Sequence, residues 1–249
     1  MNRFSYDEYR QIINTVRNYS RIVDYRYVLN NNPQKFCILR HDVEFSVDRA
    51  YKLAKLEYNL DLQSSYFFQI TNNNYNILSE LNLNKIRKIK DLGHNIGVHT
   101  FVGQENSYEK IVDIVSRDIE TLSNHTEVNI DRFSFHRPNL NKEVLKLNIE
   151  IDGIVNAYSK DFFTYFNGKE IVPEVKYISD SQHRWNYGNP MDIENKKWDK
   201  LQLLLHEYSW TEEGFDNVEN FNSLIRERNS ELLNSMNSEC KHFPKALLI

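Results

Sequence analysis

Phe36-Cys37-Ile38-Leu39-Arg40-His41-Asp42-Val43-Glu44 opens as a short apolar run and closes on ionisable side chains. The run reads as a buried strand, and its end carries residue types suited to acid/base work or metal binding. A second stretch, Gly93-His94-Asn95-Ile96-Gly97-Val98-His99-Thr100, has the same form. In α/β proteins, neighbouring parallel strands release such residues at one rim, their carboxyl ends, and that rim is where these folds do chemistry.

Around these two stretches, helical and strand-like segments alternate. Residues 5–19 read as a helix: Ser5 and Glu8 make a capping box, and Tyr9, Ile12, Ile13 and Val16 share a face. A strand over 36–41 is followed by a helix that Ser46 caps, with Asp48 in its first turn. The aromatic-rich 65–70 reads as a strand, 82–92 as a helix stopped by Gly93, and 94–98 as a strand. A long helix over 107–123, a strand over 132–135 halted by Pro138 and a short helix over 143–147 come next. Weaker strands at 153–155 and 177–179, a clear one at 201–205 and a last helix over 218–233 complete the chain. One helix and then six or seven β/α units, joined by right-handed crossovers, predict an α/β fold. The expected form is a distorted or incomplete (β/α) barrel of about seven strands. With 7 Gly, 5 Pro and no repeat, the chain offers few places to divide it. One domain over 1–249 is expected: an N-terminal helix in 1–35, the barrel core in 36–212, and a C-terminal helix and tail in 213–249.

A chain of 249 residues can bury a sizeable core without staples. Its 40% hydrophobic and 27% charged residues fit a soluble globular protein. The formal charge of −4 gives no basic footprint and argues against a nucleic-acid partner; the basic stretch Lys85–Lys90 fits the solvated side of a helix. No apolar run approaches the roughly 20 residues that span a bilayer. Met1–Glu8 lacks the apolar segment of a signal peptide. Cys37 and Cys240 lie far apart, which argues against a disulfide. Together these features point to the cytoplasm.

Polar residues collect just past the predicted strands: His41, Asp42 and Glu44, then His99, then His136 and Arg137, then Asp180, then His206. In a barrel they converge on one mouth. Two carboxylates and two imidazoles are a reasonable ligand set for zinc or a similar divalent ion. Such an ion polarises a carbonyl and lowers the pKa of bound water; a spare carboxylate and a spare histidine would move the protons. That is equipment for hydrolysing an amide or ester. Each residue also has a structural reading. Asp42 or Glu44 would serve as a cap or ion-pair partner, Arg137 as a partner for a buried carboxylate, and His99 and His206 as satisfied strand-end histidines. His94 reads as structural, and His125 and His183 as surface or supporting residues. The aromatics Trp185, Tyr187, Tyr208 and Trp210 read as core or as a sugar platform.

Taken in order, these pieces resemble the polysaccharide deacetylase superfamily (carbohydrate esterase family 4, NodB homology), in particular divergent members with an Arg-His-Asp-Val-Asp first motif. The resemblance runs over about residues 36–212. It implies a distorted (β/α) barrel that removes acetyl groups from N-acetyl sugars with a divalent metal, usually zinc. It further implies Asp42 as catalytic base and Glu44 as metal ligand, with Glu in place of the usual Asp. His99 matches the first metal histidine, but Gly103 stands where the second is usual, and His136 is the best replacement. His136 holds the register of the family's third-motif arginine, and the adjacent Arg137 would orient the base. Asp180 matches the fourth motif and His206 the general acid of the fifth. Trp185, Tyr208 and Trp210 would contact substrate. The implied substrate is a glycan or smaller N-acylated sugar, which for a cytoplasmic member would be a precursor in surface-glycan synthesis. The competing readings are a C–N hydrolase of small amides or ureides and a non-catalytic carbohydrate-binding relative.

Overall fold

Alternation along the first strand decides how the barrel is filled. In β1 (Phe36–Val43), all eight residues are buried, so both faces of the strand are covered. Cys37 and Leu39 pack with the core that includes Tyr9, Ile12, Ile13 and Val16 of α1 (Tyr6–Tyr19). Phe36 and Ile38, one residue out of phase, join a separate interior core with Tyr25 and Val28 of α2 (Tyr25–Asn31). A period of two thus gives one face to the surrounding helices and the other to the barrel interior.

The computed structural model describes residues 3–164 and 174–248. After β1, the chain runs through α3 (Val47–Tyr58), β2 (Ser65–Phe68), α4 (Glu80–Asp91), β3 (Asn95–Thr100), α5 (Tyr108–Thr126) and β4 (Arg132–Phe135). It continues with α6 (Glu143–Lys146), β5 (Val155–Asn156), β6 (Lys176–Ser179), α7 (Ile193–Lys196), β7 (Lys200–His206) and α8 (Asn217–Glu239). All seven strands are parallel, in the order β5-β4-β3-β2-β1-β7-β6. This is the circular order of a barrel, opened between β5 and β6 among the described residues. The fold is an incomplete (β/α) barrel of seven strands, as expected.

Local chemistry explains the element starts. Ser5, Ser46, Ser79 and Ser107 each turn a side-chain oxygen onto a first-turn N–H of α1, α3, α4 and α5. Helix α2, absent from the sequence reading, is capped by Asp24 and ends on Asn32 in the left-handed region. It plugs the amino-terminal end of the barrel. Gly97 in β3 meets a close approach: a Cβ there would lie 2.6 Å from Phe67 and 2.7 Å from Arg132.

Above the apolar plug the interior turns polar. Gln202 of β7 accepts from Tyr25 (2.7 Å) and Arg40 (3.2 Å), and its amide donates to the carbonyls of Ala157 and Phe162. Arg40 also donates to the Tyr158 hydroxyl at 3.1 Å. On the helix side of β1, Glu57 of α3 lies at the centre of a buried network. It accepts from Tyr9, Ser64 and Tyr66 and lies 2.9 Å from His41 Nε2. Cys37 is buried, Cys240 is exposed, and both are free.

Candidate active site

The same alternation carries Arg40 and Asp42 into the interior at the carboxyl end of β1. Arg40 grips both carboxylate oxygens of Asp42, with Nε at 2.9 Å and Nη2 at 2.7 Å. Burial pushes the Asp42 carboxyl up, but the Arg40 charge and then the nearby histidines outweigh it and hold it below the usual range. The sequence reading gave the orienting role to Arg137. In the structure Arg137 is exposed, with its backbone in the left-handed region at φ 50, and the guanidinium on Asp42 is that of Arg40.

Glu44 lies one residue past β1, His99 on β3 and His136 one residue past β4. Parallel pairing of β1, β2, β3 and β4 brings all three to one rim. Glu44 Oε1 is 2.9 Å from His136 Nδ1 and 3.4 Å from His99 Nε2, and the two ring nitrogens are 3.2 Å apart. Donors about 2.0–2.2 Å from one tetrahedral centre lie roughly 3.3–3.6 Å from each other, so the donor spacing here is close to that of a zinc site. Asp42 Oδ2 is 3.6 Å from the same His99 nitrogen.

His99 is oriented from behind. Its Nδ1 lies 2.7 Å from Ser134 Oγ, and Ser134 in turn donates to Asp42 Oδ1 at 3.4 Å. This arrangement fixes the tautomer that leaves Nε2 as a lone-pair donor. Burial lowers the His99 pKa against the raising effect of Asp42 and Glu44, which keeps the ring neutral. Burial raises the Glu44 pKa, but the neighbouring His136 and His99 side chains carry it well below the usual carboxylate range. A carboxylate and two imidazoles so placed fit a divalent ion of the zinc type.

On the other side of β1, His206 ends β7 as the register partner of Asp42. Asp180, just past β6, lies 2.7 Å from His206 Nδ1 and also accepts the His206 backbone N–H at 2.9 Å. Nε2 is left as the ring's free-standing nitrogen for chemistry. Burial lowers the imidazole, but the bond and charge of Asp180, followed by Glu44 and Asp42, raise its pKa to about 10.

The aromatics expected to touch substrate are placed otherwise. Trp210 is 1% exposed, donates its indole N–H to Asp180 Oδ2 at 2.9 Å, and packs on Phe4 and Tyr9. Tyr208 is buried against Phe45 and Phe221. Trp185 is half-buried beside Phe4 and Trp210. All three are core contacts: the chain leaves β7 at His206 into a single 3-10 turn, Glu207–Ser209, which ends the strand's alternation and carries Tyr208 and Trp210 into the packing around the barrel. The exposed aromatic beside the donor cluster is Phe101, with its ring 5.7 Å from that of His136.

Two further residues were not singled out. Arg40 was hidden because an arginine in a strand gives no sign of its partner, although its spacing of two from Asp42 places both on one face. Glu207 is wholly buried and accepts from three successive backbone N–H groups of Glu44, Phe45 and Ser46. Burial pushes its carboxyl up to about 7, against the lowering effect of those bonds. His94 is structural, bonded to the Ala54 carbonyl and the Ser64 hydroxyl. His183 is buried and His125 exposed.

No helix among the described residues is long and apolar enough to cross a membrane. No family model matches the chain, and no curated protein does. Among solved structures the chain is similar to a mutant of a CE4 family pseudoenzyme with restored enzymatic activity, at 13% identity and a TM-score of 0.45. The alignment covers 79% of this chain and 63% of that one, so the chain spans less than two thirds of that structure's length. The wild-type pseudoenzyme is from Bacillus anthracis. A peptidoglycan deacetylase from Bdellovibrio bacteriovorus is similar at 12% identity and a TM-score of 0.45, with 78% of this chain and 50% of that chain covered. The chitin deacetylase of the fungus Colletotrichum lindemuthianum is similar at 13% identity and a TM-score of 0.42, with 77% and 81% covered. The pseudoenzyme belongs to the family that the sequence motifs resemble.

Proposed function

We propose that the chain is a metal-dependent hydrolase that removes an N-acetyl or other N-acyl group from a sugar. The observation that carries this reading is the meeting, at one barrel rim, of the Glu44–His99–His136 donor cluster with the Asp180–His206 pair, with Asp42 between them. A divalent ion held by Glu44, His99 and His136, most simply zinc, supplies polarisation of the scissile carbonyl and a water of lowered pKa.

The chain's own residues then move the protons. Asp42, held as an anion by Arg40, takes a proton from the attacking water. The water oxygen bonds to the acyl carbon, and the carbon–nitrogen bond breaks. His206 Nε2 protonates the departing amine, and Asp180 holds the ring through Nδ1 so that this nitrogen faces the substrate. The products are a carboxylic acid and the free amino sugar.

The test begins with elemental analysis of the purified protein beside His99→Ala and His136→Ala. About one divalent ion per chain, lost in both variants, is expected. A wild type that holds none even after zinc is added and the excess removed overturns the metal site. Turnover of a panel of N-acetyl sugars against small amides then assigns the substrate class. Preference for the amides would move the site to the competing C–N hydrolase reading.

A further inference from the structure

We infer that Glu207 is a positioning residue that sets Glu44 into the donor cluster. This rests on the metal-site reading above. Glu44 lies past the end of β1, in the turn before α3, so no strand partner fixes its backbone. Asn72 and Asn74 each donate to the Glu44 carbonyl at 3.0 Å, and Glu207 restrains the N–H side of the turn from the far end of β7. Its Oε1 accepts from the N–H groups of Phe45 and Ser46, both at 2.8 Å, and its Oε2 from that of Glu44 at 3.3 Å. Three N–H groups converge on one carboxylate at the amino end of a twelve-residue helix, where backbone dipoles favour negative charge.

The turn that carries Glu207 is itself anchored. Arg49 of α3 donates from Nη1 to the Tyr208 carbonyl at 2.6 Å and to Asn220, and its other nitrogens bond Ser223 and Glu227 of α8. Glu207 therefore joins two halves of the site. The residue before it is His206, and the backbone it holds carries Glu44. A Phe45 ring packed on Tyr208, with centroids 4.6 Å apart, closes the same junction with apolar contact.

Glutamine at 207 cannot reproduce this. Its single carbonyl oxygen can serve Phe45 and Ser46, but its amide NH2 then faces the Glu44 N–H, donor against donor. The turn loses a restraint while both metal-side imidazoles stay untouched. Groups that orient metal ligands typically change affinity about 10–100-fold when mutated, and Glu207→Gln is expected to weaken zinc binding by that amount.

The experiment is competition of wild type, Glu207→Gln and Val16→Ala against a chromophoric zinc chelator, with thermal unfolding of the metal-free proteins alongside. Val16 is buried on α1, in the core outside the barrel, and Val16→Ala controls for lost stability alone. The expected result is weaker zinc binding in Glu207→Gln, while Val16→Ala lowers the melting temperature and keeps wild-type affinity. Unchanged affinity in a folded Glu207→Gln overturns the inference and leaves the metal site standing. Absence of zinc binding in wild type is instead the failure of the metal-site reading. Should Glu207→Gln not fold, Glu207→Asp decides: it keeps the charge but is one methylene short, so weakened binding supports the inference and wild-type binding overturns it.

Discussion

His206 and Asp180 show how two side chains set each other's state. The imidazole is held charged by the carboxylate at 2.7 Å, with a folded pKa of about 10 against 6.5 for the free group. A raised value means that protonation stabilises the fold. The contribution is complete below pH 6.5 and is lost as pH rises through about 10. Urea unfolding of the metal-free protein should therefore show stability falling across that window in wild type, with a flatter profile in His206→Gln. Equal slopes in the two proteins would remove the ion pair as the cause. In catalysis, His206→Ala should lower kcat by about 10²–10⁴ with metal still bound, the range general acid catalysis supplies. Full activity in that variant would take His206 out of the mechanism. Arg40 and Asp42 form a second such pair, wholly buried and bidentate. Arg40→Ala leaves a buried carboxylate without its cation, and breaking a pair in this way typically costs about 3–5 kcal/mol, measurable by denaturant titration.

At the scale of single elements, close packing and caps decide. In β3, Gly97 leaves the space that the Phe67 ring and the Arg132 stem occupy. Gly97→Ala would put a Cβ into that space, and overpacking of this kind costs about 1–3 kcal/mol. A normal denaturation midpoint for Gly97→Ala would show that the interior gives way easily. The sequence was most legible at this scale. Ser5 and Ser46 announced α1 and α3, and the apolar run of β1 announced a strand covered on both faces. Helix α2 escaped because its seven residues include two tyrosines and a valine, which are weak helix formers. What holds it is the burial of Tyr25 and Val28 against Phe36 and Ile38 of β1 and the more distant Phe67 of β2 and Val155 of β5. Its Asp24 cap and Asn32 stop were the available signals.

Across the described residues, the sheet opens between β5 and β6, and the donors arrive from β1, β3 and β4 on one side of the mouth. The acid–base pair comes from β6 and β7 on the other. A ligand bound to residues from several strands stabilises the folded state by mass action, about 2.7 kcal/mol at a hundredfold excess over Kd. Added zinc should therefore raise the thermal midpoint of wild type and leave those of His99→Ala and His136→Ala unmoved. A shift of equal size in all three would place the ion elsewhere.

The sequence by itself determined the order of the strands and the longer helices, the barrel class and the residues at the strand ends. Each of these follows from local alternation, capping and position relative to an apolar run. Only the tertiary structure decided the partners. It set Arg40 rather than Arg137 on Asp42, brought His136 beside Glu44, tied Glu207 to the turn after β1, and turned Trp210 inward onto Asp180. Apart from Arg40 and Asp42, which share one face of β1, these pairings join residues on different strands or in the turns beyond them. They depend on sheet order, register and the curl of the barrel, which arise from contacts between segments distant in the chain.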